Sequence, residues 1–455
     1  MSKEPLFRTG IVSCDGKDFV FYLRDFQFCI IDPSKESIGI LPNGNPPRLS
    51  ANADGLICGT THNNKDVAIY APDVNSKSID GVCVLNTDHY WLRTSNLLPT
   101  PRETDFVFDT IAFTGGTLSQ TFSPNKLSIE FEGKGILTKQ QDDSISFKFQ
   151  YNDVPCNVTI SSNIIMGNSV GGVSISNTQV NLVMHFDKQQ KVGDAFIHYK
   201  NICKLLSFMT FRQNVFFEKV SVWQTNEDKS QQTASQWDLY TKSTPYEPSK
   251  KSSLLCISFS DIKDYLQPLL KIIYCNIERK PHYLANFIPS DDASYGRIDD
   301  NTIKSICSSL ECEIALSDMP ENPEAKQLKE LVDKVKEVVK AHQHGKNPLS
   351  PKSYAKIDGN IKHWGMATAD QVEYLYNKHM NAVESIPAVV KLGKDDISNF
   401  IKYRNDITHG SYRVGDKRIA QTAFALEGLV YCCILSRVGI PEEEIEKLCA
   451  QKVLR

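Results

Sequence analysis

The first half of the chain alternates short apolar runs with polar turn pairs, a pattern typical of β-strands. The runs are rich in β-branched and aromatic residues, and they predict strands at 19–23, 26–31, 37–41, 67–70, 128–131, 144–151 and 158–160. Pairs of the Asp-Gly, Asn-Gly and Gly-Gly type separate many of them. Strands of this length and spacing favour a sandwich or barrel-like β-domain. A single helix, 194–209, is predicted to interrupt it.

From about Ser260 the apolar positions take up a helical period. We predict helices at 261–277, 301–316, 322–342, 368–385, 395–409, 416–438 and 441–453, with Gly410 and Gly439 just past two helix ends. The polar segment 225–252 is predicted to be a long loop, 254–259 a short strand and 345–358 a loop. The predicted fold class is therefore α+β. A β-rich domain over 1–262 precedes a helical region over 263–455, an all-α bundle.

The charge of the chain is nearly balanced, with 51 Lys+Arg against 54 Asp+Glu and a pI near 6.4. No global basic field is available to coat nucleic acid, so any RNA contact must be local. The 13 cysteines include no C-x-x-C pair, which favours a reduced, cytoplasmic protein over a disulfide framework. The N-terminal residues lack the apolar core of a signal peptide, and no apolar run reaches membrane-spanning length.

The predicted helix 395–409 carries the residues with the clearest chemical potential. Arg404 has the planar donor fork that binds phosphate, and His409 exchanges protons near neutral pH. With about 100° per residue, Arg404 faces the middle of the apolar stripe, whereas Asn405 and His409 lie at one edge. The stripe is formed by Ile397, Phe400, Ile401 and Ile407.

An arginine on an apolar face must lose water, which is costly unless an anion or several acceptors meet it. Three explanations stay open for Arg404. It bonds helix-end carbonyls or a buried carboxylate, it lies in a subunit interface, or it binds a phosphate. Spacing alone does not separate them, because an Arg–His pair within a few positions of this spacing is expected about once per chain by chance.

The segment from Arg404 to Gly410 resembles the signature of the HEPN superfamily: an arginine, a polar residue, a short spacer and a histidine on a bundle helix. Asn405 matches the polar position. The location of this segment behind a β-rich front half resembles the ApeA-type HEPN proteins of bacterial anti-phage defence. The motif covers six residues and the wider helical resemblance about 150, which places a HEPN core at about 300–455.

The resemblance implies a metal-independent endoribonuclease of an abortive-infection system, without a cofactor. HEPN units form a shared site in pairs, and one motif per chain implies a homodimer. Arg404 would hold the scissile phosphate, His409 would act as general acid or base, and Asn405 would orient them. The substrate would be single-stranded RNA or tRNA loops. The front half would act as a sensor or restraint that responds to a phage-derived trigger, in a protein without membrane attachment.

The chain departs from the pattern of some HEPN toxins at one position. Those toxins carry a tyrosine two positions after the histidine, where this chain has Ser411, with Tyr412 one position further on. Regulation by modification of that tyrosine is therefore not expected.

Other candidate sites have simpler interpretations. The glycine-rich segment 167–172 has no P-loop lysine and is predicted to be a loop or hairpin bend. His342, His344 and the cysteines lack zinc-site spacing, and buried apolar cysteines are predicted instead. The aromatic residues Tyr90, Trp91 and Trp223 are predicted to be core or rim residues.

Two other functions remain open. The first is a non-catalytic HEPN-like dimerisation and binding module, in which Arg404 and His409 are structural. The second is a carbohydrate- or peptide-binding β-domain with a helical oligomerisation tail, which requires an aromatic pocket in the front half.

Overall fold

The chain divides into two compact units, Met1–Ile277 and Glu278–Arg455. The computed structural model describes residues 7–14, 17–24, 26–31, 56–70, 77–79, 82–93, 107–122, 127–132, 135–140, 144–169, 172–225, 236–242, 257–275, 286–290, 294, 297–320, 325–362, 368–410 and 415–452. The division lies downstream of the predicted boundary at 262, because helix α3 (Leu266–Cys275) packs against a strand and a helix of the first unit. The predicted strand 37–41 lies outside the described residues.

The described strands of the first unit form mainly one antiparallel sheet of 14 strands. The strands are β1 Phe7–Cys14, β2 Lys17–Arg24, β3 Gln27–Ile31, β4 Leu56–Thr61, β5 Asp66–Tyr70, β6 Lys77–Ile79, β7 Val82–Asn86, β8 His89–Arg93, β9 Val107–Thr114, β10 Leu127–Glu132, β11 Gly135–Gln140, β12 Ile145–Tyr151, β13 Val154–Ser169, β14 Gly172–Lys191, β15 Lys219–Trp223 and β16 Trp237–Thr241. The order is β12-β13-β14-β9-β15-β16-β8-β5-β4-β1-β2-β3-β7-β6, and β10 pairs with β11 separately.

This topology changes three parts of the sequence prediction. A continuous sheet replaces the two sheets of a sandwich. The segment 225–252, predicted to be a loop, contains the inner strand β16, which joins β15 to β8. The described end of the predicted strand 254–259 is not a strand, although Ile257 and Phe259 are buried. Their amides donate to the carbonyl oxygens of Met209 (3.0 Å) and Thr121 (2.8 Å), so these non-strand residues still satisfy their polar backbone groups.

Helices complete the first unit. The short α1 (Leu118–Thr121) and the longer α2 (Val192–Thr210) follow strands of the sheet, and α3 lies after a 3₁₀ turn at Lys263–Tyr265. The interior face of α2 is apolar, with Ile202, Leu205 and Leu206 buried. Phe211 ends α2 in the left-handed conformation, at φ 52°, and its amide donates to the carbonyl oxygen of Ser207. The β-rich prediction for this half of the chain is confirmed.

The second unit is helical in its described part. Its helices are α4 Asp300–Leu316, α5 Ala325–Gln343, α6 Pro351–Lys362, α7 Thr368–Lys378, α8 Met380–Ser385, α9 Lys394–Thr408, α10 Lys417–Val438 and α11 Glu442–Lys452. The α+β class is therefore confirmed. Two local predictions were wrong. The segment 345–358, predicted to be a loop, contains most of α6, and the predicted helix 368–385 is interrupted at His379.

The helix ends follow from the residues that stand there. Asp299 accepts a hydrogen bond from the Thr302 amide at 2.8 Å, and Asp416 accepts one from the Ile419 amide at 2.8 Å. Both carboxylates cap a helix N-terminus and neutralise its exposed amides. Gly439 follows α10 at φ +100°, a conformation that costs residues with a Cβ atom free energy.

Helix α10 is the core helix of the second unit. It is the described helix that is long and apolar enough to cross a membrane, but 78% of its most apolar stretch is buried inside the protein. This burial is the pattern expected of a helix enclosed by its neighbours. It packs against α4, α7, α8, α9 and α11.

Two glycine-to-alanine substitutions should have opposite effects on stability. Gly439→Ala puts a residue with a Cβ atom into the left-handed backbone conformation, and should lower the free energy of unfolding by about 1–2 kcal/mol. Gly359→Ala lies inside α6, where a Cβ atom meets nothing within 4 Å, and should stabilise by about 0.5–1 kcal/mol. Thermal unfolding of both variants checks the pair. Shifts of the same sign would contradict the assignment of these two helix positions.

Candidate functional site

Helix α9 inserts one apolar face into the bundle, with Ile397, Phe400 and Tyr403 buried. The centre of this face lies nearer Phe400 and Tyr403 than the wheel predicted, and the Arg404 side chain, 28% exposed, flanks it. The reason is Tyr403, which was left out of the predicted stripe. Its ring is buried, and its hydroxyl donates to Asp300 Oδ1 at 3.2 Å.

Arg404 has a carboxylate partner on another helix. Its Nη2 donates to Glu311 Oε1 at 2.6 Å, and its Nη1 donates to Asn405 Oδ1 at 3.2 Å. Glu311 lies on α4, and its side chain is 44% exposed. A carboxylate partner was one of the three explanations for Arg404, but this carboxylate is exposed rather than buried. An ion pair this open to water contributes about 0.2–1 kcal/mol to the stability of the fold, so another anion can compete for Arg404.

A small pocket lies beside this pair. It has a volume of about 50 Å³ and is lined by Cys307, Leu310, Glu311, Thr368, Val372, Ile401, Arg404 and Asn405. Burial raises the pKa of the Cys307 thiol to about 12, so the thiol is neutral at pH 7. The pocket has room for a few water molecules and not for a nucleotide. A larger ligand would therefore lie over its rim, where Arg404 and Asn405 stand.

His409 lies at the C-terminal end of α9 and is exposed. Its backbone amide donates to the carbonyl oxygen of Asn405 at 3.0 Å. Within the described parts of the chain, the imidazole has no hydrogen-bond partner. The structure thus places Arg404, Asn405 and His409 on the last turns of one helix. The side chains of Arg404 and Asn405 share a hydrogen bond, whereas no described hydrogen bond joins the His409 imidazole to Arg404. Ser411 and Tyr412 lie outside the described residues.

The start of α9 carries a second ion pair, which sequence reasoning missed. Arg418 on α10 donates to both carboxylate oxygens of Asp396, at 2.7 and 2.5 Å, and to the carbonyl oxygen of Lys391 at 3.0 Å. The hydrogen bonds from Arg418 hold the pKa of Asp396 below its usual value. A pocket of about 170 Å³ lies beside the pair, lined by Asp396, Asn399, Tyr403, Asp416, Arg418, Ile419 and Thr422. The bidentate bond ties the start of α9 to α10 and so helps to fix the helix that carries Arg404.

Two buried carboxylates of the bundle were also missed. Glu313 on α4 accepts a hydrogen bond from Arg437 Nη2 at 2.8 Å. Glu427 lies in the middle of α10 and is only 4% exposed. Burial raises the pKa of Glu427 to about 8, so it is mostly protonated and neutral at pH 7. Glu313 and Glu427 lie in helices whose apolar pattern predicts burial. No neighbouring residue in the sequence identifies the groups that surround either carboxyl.

The remaining sequence candidates have structural roles. Residues 167–169 end β13 and Gly172 begins β14, with Ser169 paired to Gly172, which confirms the hairpin bend. His342 Nδ1 and the Tyr354 hydroxyl lie 2.7 Å apart. Tyr90 and Trp91 are buried, as predicted for core residues, and they offer no exposed stacking surface. Cysteines of the second unit are also buried (Cys307, Cys312, Cys432, Cys433 and Cys449). Among the described residues, no group of three His, Cys, Asp or Glu side chains is arranged to hold a metal ion.

Comparisons with protein-family models, with curated proteins and with solved structures found no match. The function must therefore be inferred from the residues themselves.

The buried Glu427 should make stability depend on pH. Between its unfolded pKa near 4.5 and its folded pKa of about 8, the unfolded chain releases a proton that the folded chain keeps. Stability from this group is therefore present below pH 4.5 and is lost as the pH rises towards 8. Glu427→Gln keeps the shape without titrating, and should lose less stability than wild type between pH 5 and 8, by about 1–3 kcal/mol.

Denaturant unfolding of both proteins at the two pH values measures this difference. The exposed Glu443 on α11 provides the control, since Glu443→Gln should keep the wild-type pH dependence. An unchanged pH dependence in Glu427→Gln would show that the carboxyl is already ionised in the folded protein.

Proposed function

We propose that this chain is a cytoplasmic HEPN-type endoribonuclease of bacterial anti-phage defence. It cuts single-stranded RNA or tRNA loops without a metal ion, at a site shared by two copies of the chain. The observation that supports this proposal most is the arrangement at the end of α9. There, a partly exposed guanidinium stands at the rim of a pocket, and an exposed imidazole stands five positions further on.

The chemistry follows from these two groups. The fork of Arg404 binds two phosphate oxygens and stabilises the charge that develops on them. The substrate 2′-hydroxyl oxygen bonds to phosphorus, and the bond from phosphorus to the 5′-oxygen breaks. One imidazole takes the proton from the 2′-hydroxyl, and one gives a proton to the leaving 5′-oxygen. The products are a 2′,3′-cyclic phosphate and a 5′-hydroxyl.

A homodimer suits this scheme. The proton acceptor and the proton donor are needed in one turnover, and each chain offers one His409 at one motif. Two copies of α9 would supply both imidazoles. Asn405 bonds the Arg404 guanidinium and would keep its fork oriented towards the phosphate. The β-rich first unit would respond to a phage-derived trigger and control the dimer.

A non-catalytic HEPN-like dimerisation and binding module is the second candidate. The Glu311–Arg404 contact favours it, because this contact gives the arginine an internal partner without any substrate. In this case the pair fixes α4 to α9, and His409 is an ordinary exposed residue at a helix end.

Arg404→Ala and His409→Ala should each abolish RNA cleavage while the fold is kept. The expected loss is roughly 10²-fold or more, because each substitution removes a transition-state contact. Cleavage of total RNA, with analysis of the cut ends, measures it. Wild-type protein should leave cyclic phosphates in the presence of a chelator. Lys402→Ala changes an exposed residue of the same helix and is the matched control.

Mixed dimers test the shared site. A dimer of one wild-type and one His409→Ala chain keeps a single imidazole and should lose most of the activity, whereas a dimer of one wild-type and one Arg404→Ala chain keeps both imidazoles and should retain part of it. If both variants cleave RNA as wild type does, or if cleavage strictly requires magnesium, the ribonuclease proposal is wrong.

Glu311→Gln should increase RNA cleavage, because a phosphate must replace the Glu311 carboxylate on Arg404. The pair is exposed, so the expected gain in kcat/KM is modest, roughly twofold to fivefold. Glu373→Gln is the matched control. It removes another carboxylate that bonds α9, at 3.2 Å from Lys394, without touching Arg404. A loss of activity in Glu311→Gln would instead show that Glu311 positions the arginine for catalysis.

A further inference from the structure

The turn between α5 and α6 carries a local excess of positive charge. Residues 338–357, here called the basic tip, contain four lysines and two histidines and no aspartate or glutamate. The lysines are Lys340, Lys346, Lys352 and Lys356, and all four are exposed. This segment stands out in a chain whose formal net charge is −3.

The lysines of the basic tip have no carboxylate partner within the part of the chain that the structure describes. Two other exposed lysines of the same unit do have one. Lys394 lies 3.0 Å from Asp370, and Lys391 lies 3.8 Å from Glu384. The charge of the basic tip is therefore not neutralised by a described ion pair and is available to an external anion.

The basic tip has a fixed shape. The hydroxyl of the buried Tyr354 accepts a hydrogen bond from the Leu349 amide at 3.0 Å and lies 2.7 Å from His342 Nδ1. The Gly345 amide donates to the carbonyl oxygen of His342 at 3.1 Å. These bonds hold the end of α5, the turn and the start of α6 together. A ligand would therefore not have to order the backbone that presents the lysines.

The spacing of the lysines suits an extended polyanion. Lys352 and Lys356 are four residues apart on α6, so they share one face and stand about 6 Å apart along the axis. That separation is comparable to the distance between successive phosphates of an extended single strand. Lys340 and Lys346 continue the charge across the turn.

A membrane surface is a poorer fit to the basic tip. Peripheral helices that bind membranes combine basic residues with tryptophan, phenylalanine or leucine, which insert between the lipids. The basic tip contains no tryptophan or phenylalanine, and its aromatic residue, Tyr354, is buried. Its exposed large apolar residues are Val338 on α5 and Leu349 in the turn. Two separate aliphatic side chains, without tryptophan or phenylalanine, are weak membrane anchors, so the charge of the tip favours a nucleic-acid backbone over a lipid bilayer.

We propose that the basic tip is an RNA-binding surface that holds the phosphate backbone of a single-stranded RNA. The choice of RNA over other polyanions rests on the proposed ribonuclease function; the binding surface itself does not. This surface supplies the local contact that a chain of nearly balanced charge requires for binding RNA.

The test measures RNA binding and its salt dependence without cleavage. In full-length His409→Ala protein, Lys346, Lys352 and Lys356 are replaced together by glutamine. Binding of a fluorescein-labelled oligouridylate is followed by anisotropy between about 50 and 200 mM salt. The slope of log K against log salt, which is negative, should become shallower by about 0.7 per lysine, roughly 2 in total. Affinity at about 100 mM salt should fall roughly tenfold or more.

The matched control replaces three exposed lysines of the same unit that lie outside the basic tip, Lys378, Lys391 and Lys447. It removes the same net charge and should leave the slope nearly unchanged. Equal slopes for the two triple variants would overturn the proposal. Binding to phosphatidylserine vesicles that the basic-tip variant loses, with RNA binding intact, would also overturn it and assign the surface to lipid headgroups.

This outcome is independent of the test of catalysis. If otherwise wild-type protein fails to cleave RNA while the basic-tip variant loses RNA binding, the ribonuclease proposal fails and the binding surface stands. If RNA is cleaved and the basic-tip variant binds it like the control, the binding surface fails alone.

Discussion

Burial of helix α10 is the constraint on which the second unit depends. Nearly every residue from Ala423 to Leu435 is buried, so the helix needs apolar neighbours on all sides. Among the described helices, five pack against it, and α9 is one of them. The face that α9 turns inward is therefore fixed by Ile397, Phe400 and Tyr403, and the position of Arg404 is a consequence of that packing.

The placement of Arg404 at the edge of the buried face has a chemical consequence. At the centre of the face, its guanidinium would be sealed in the core and would need permanent partners. At the edge it reaches Glu311, which is itself open to water. The contact is charge-assisted and short, yet solvent screening keeps its contribution to stability small. The same geometry that gives the Arg404 guanidinium a carboxylate partner therefore allows another anion to replace that partner.

Local sequence signals predicted the parts of this fold that depend on neighbouring residues. The acidic cap at Asp416 and the glycines at 410 and 439 mark helix ends because cap chemistry acts within one turn. The candidate residues on α9 could be predicted to lie together for the same reason, since a helix brings close positions to one end. Tyr403 was misjudged because its ring is apolar and its hydroxyl is not, and the structure buries both with a partner.

The features that the sequence did not predict depend on contacts between positions far apart in the chain. Strand β16 is recognisable only through its pairing with β8, almost 150 residues earlier, and its polar flanks predict a loop. Glu311 lies 93 positions before Arg404, and nothing in either helix alone identifies the pair. The same holds for Arg418 and Asp396, whose contact depends on how α9 and α10 pack. Pairings of this kind come from tertiary packing, which local propensity does not encode.

The isolated chain also limits how its candidate site can work. Arg404 is held by Glu311 on α4, whereas the imidazole of His409 has no described partner to orient it. General acid–base catalysis needs the imidazole within hydrogen-bond reach of the reacting oxygen, so a freely rotating side chain is a poor catalyst. In the proposed ribonuclease, a contact beyond those described would have to order His409, and an anion would have to displace Glu311. An RNA phosphate can displace the carboxylate, and a second copy of α9 can order the imidazole. In the proposed scheme, requiring both would keep the ribonuclease inactive until it is assembled on its substrate.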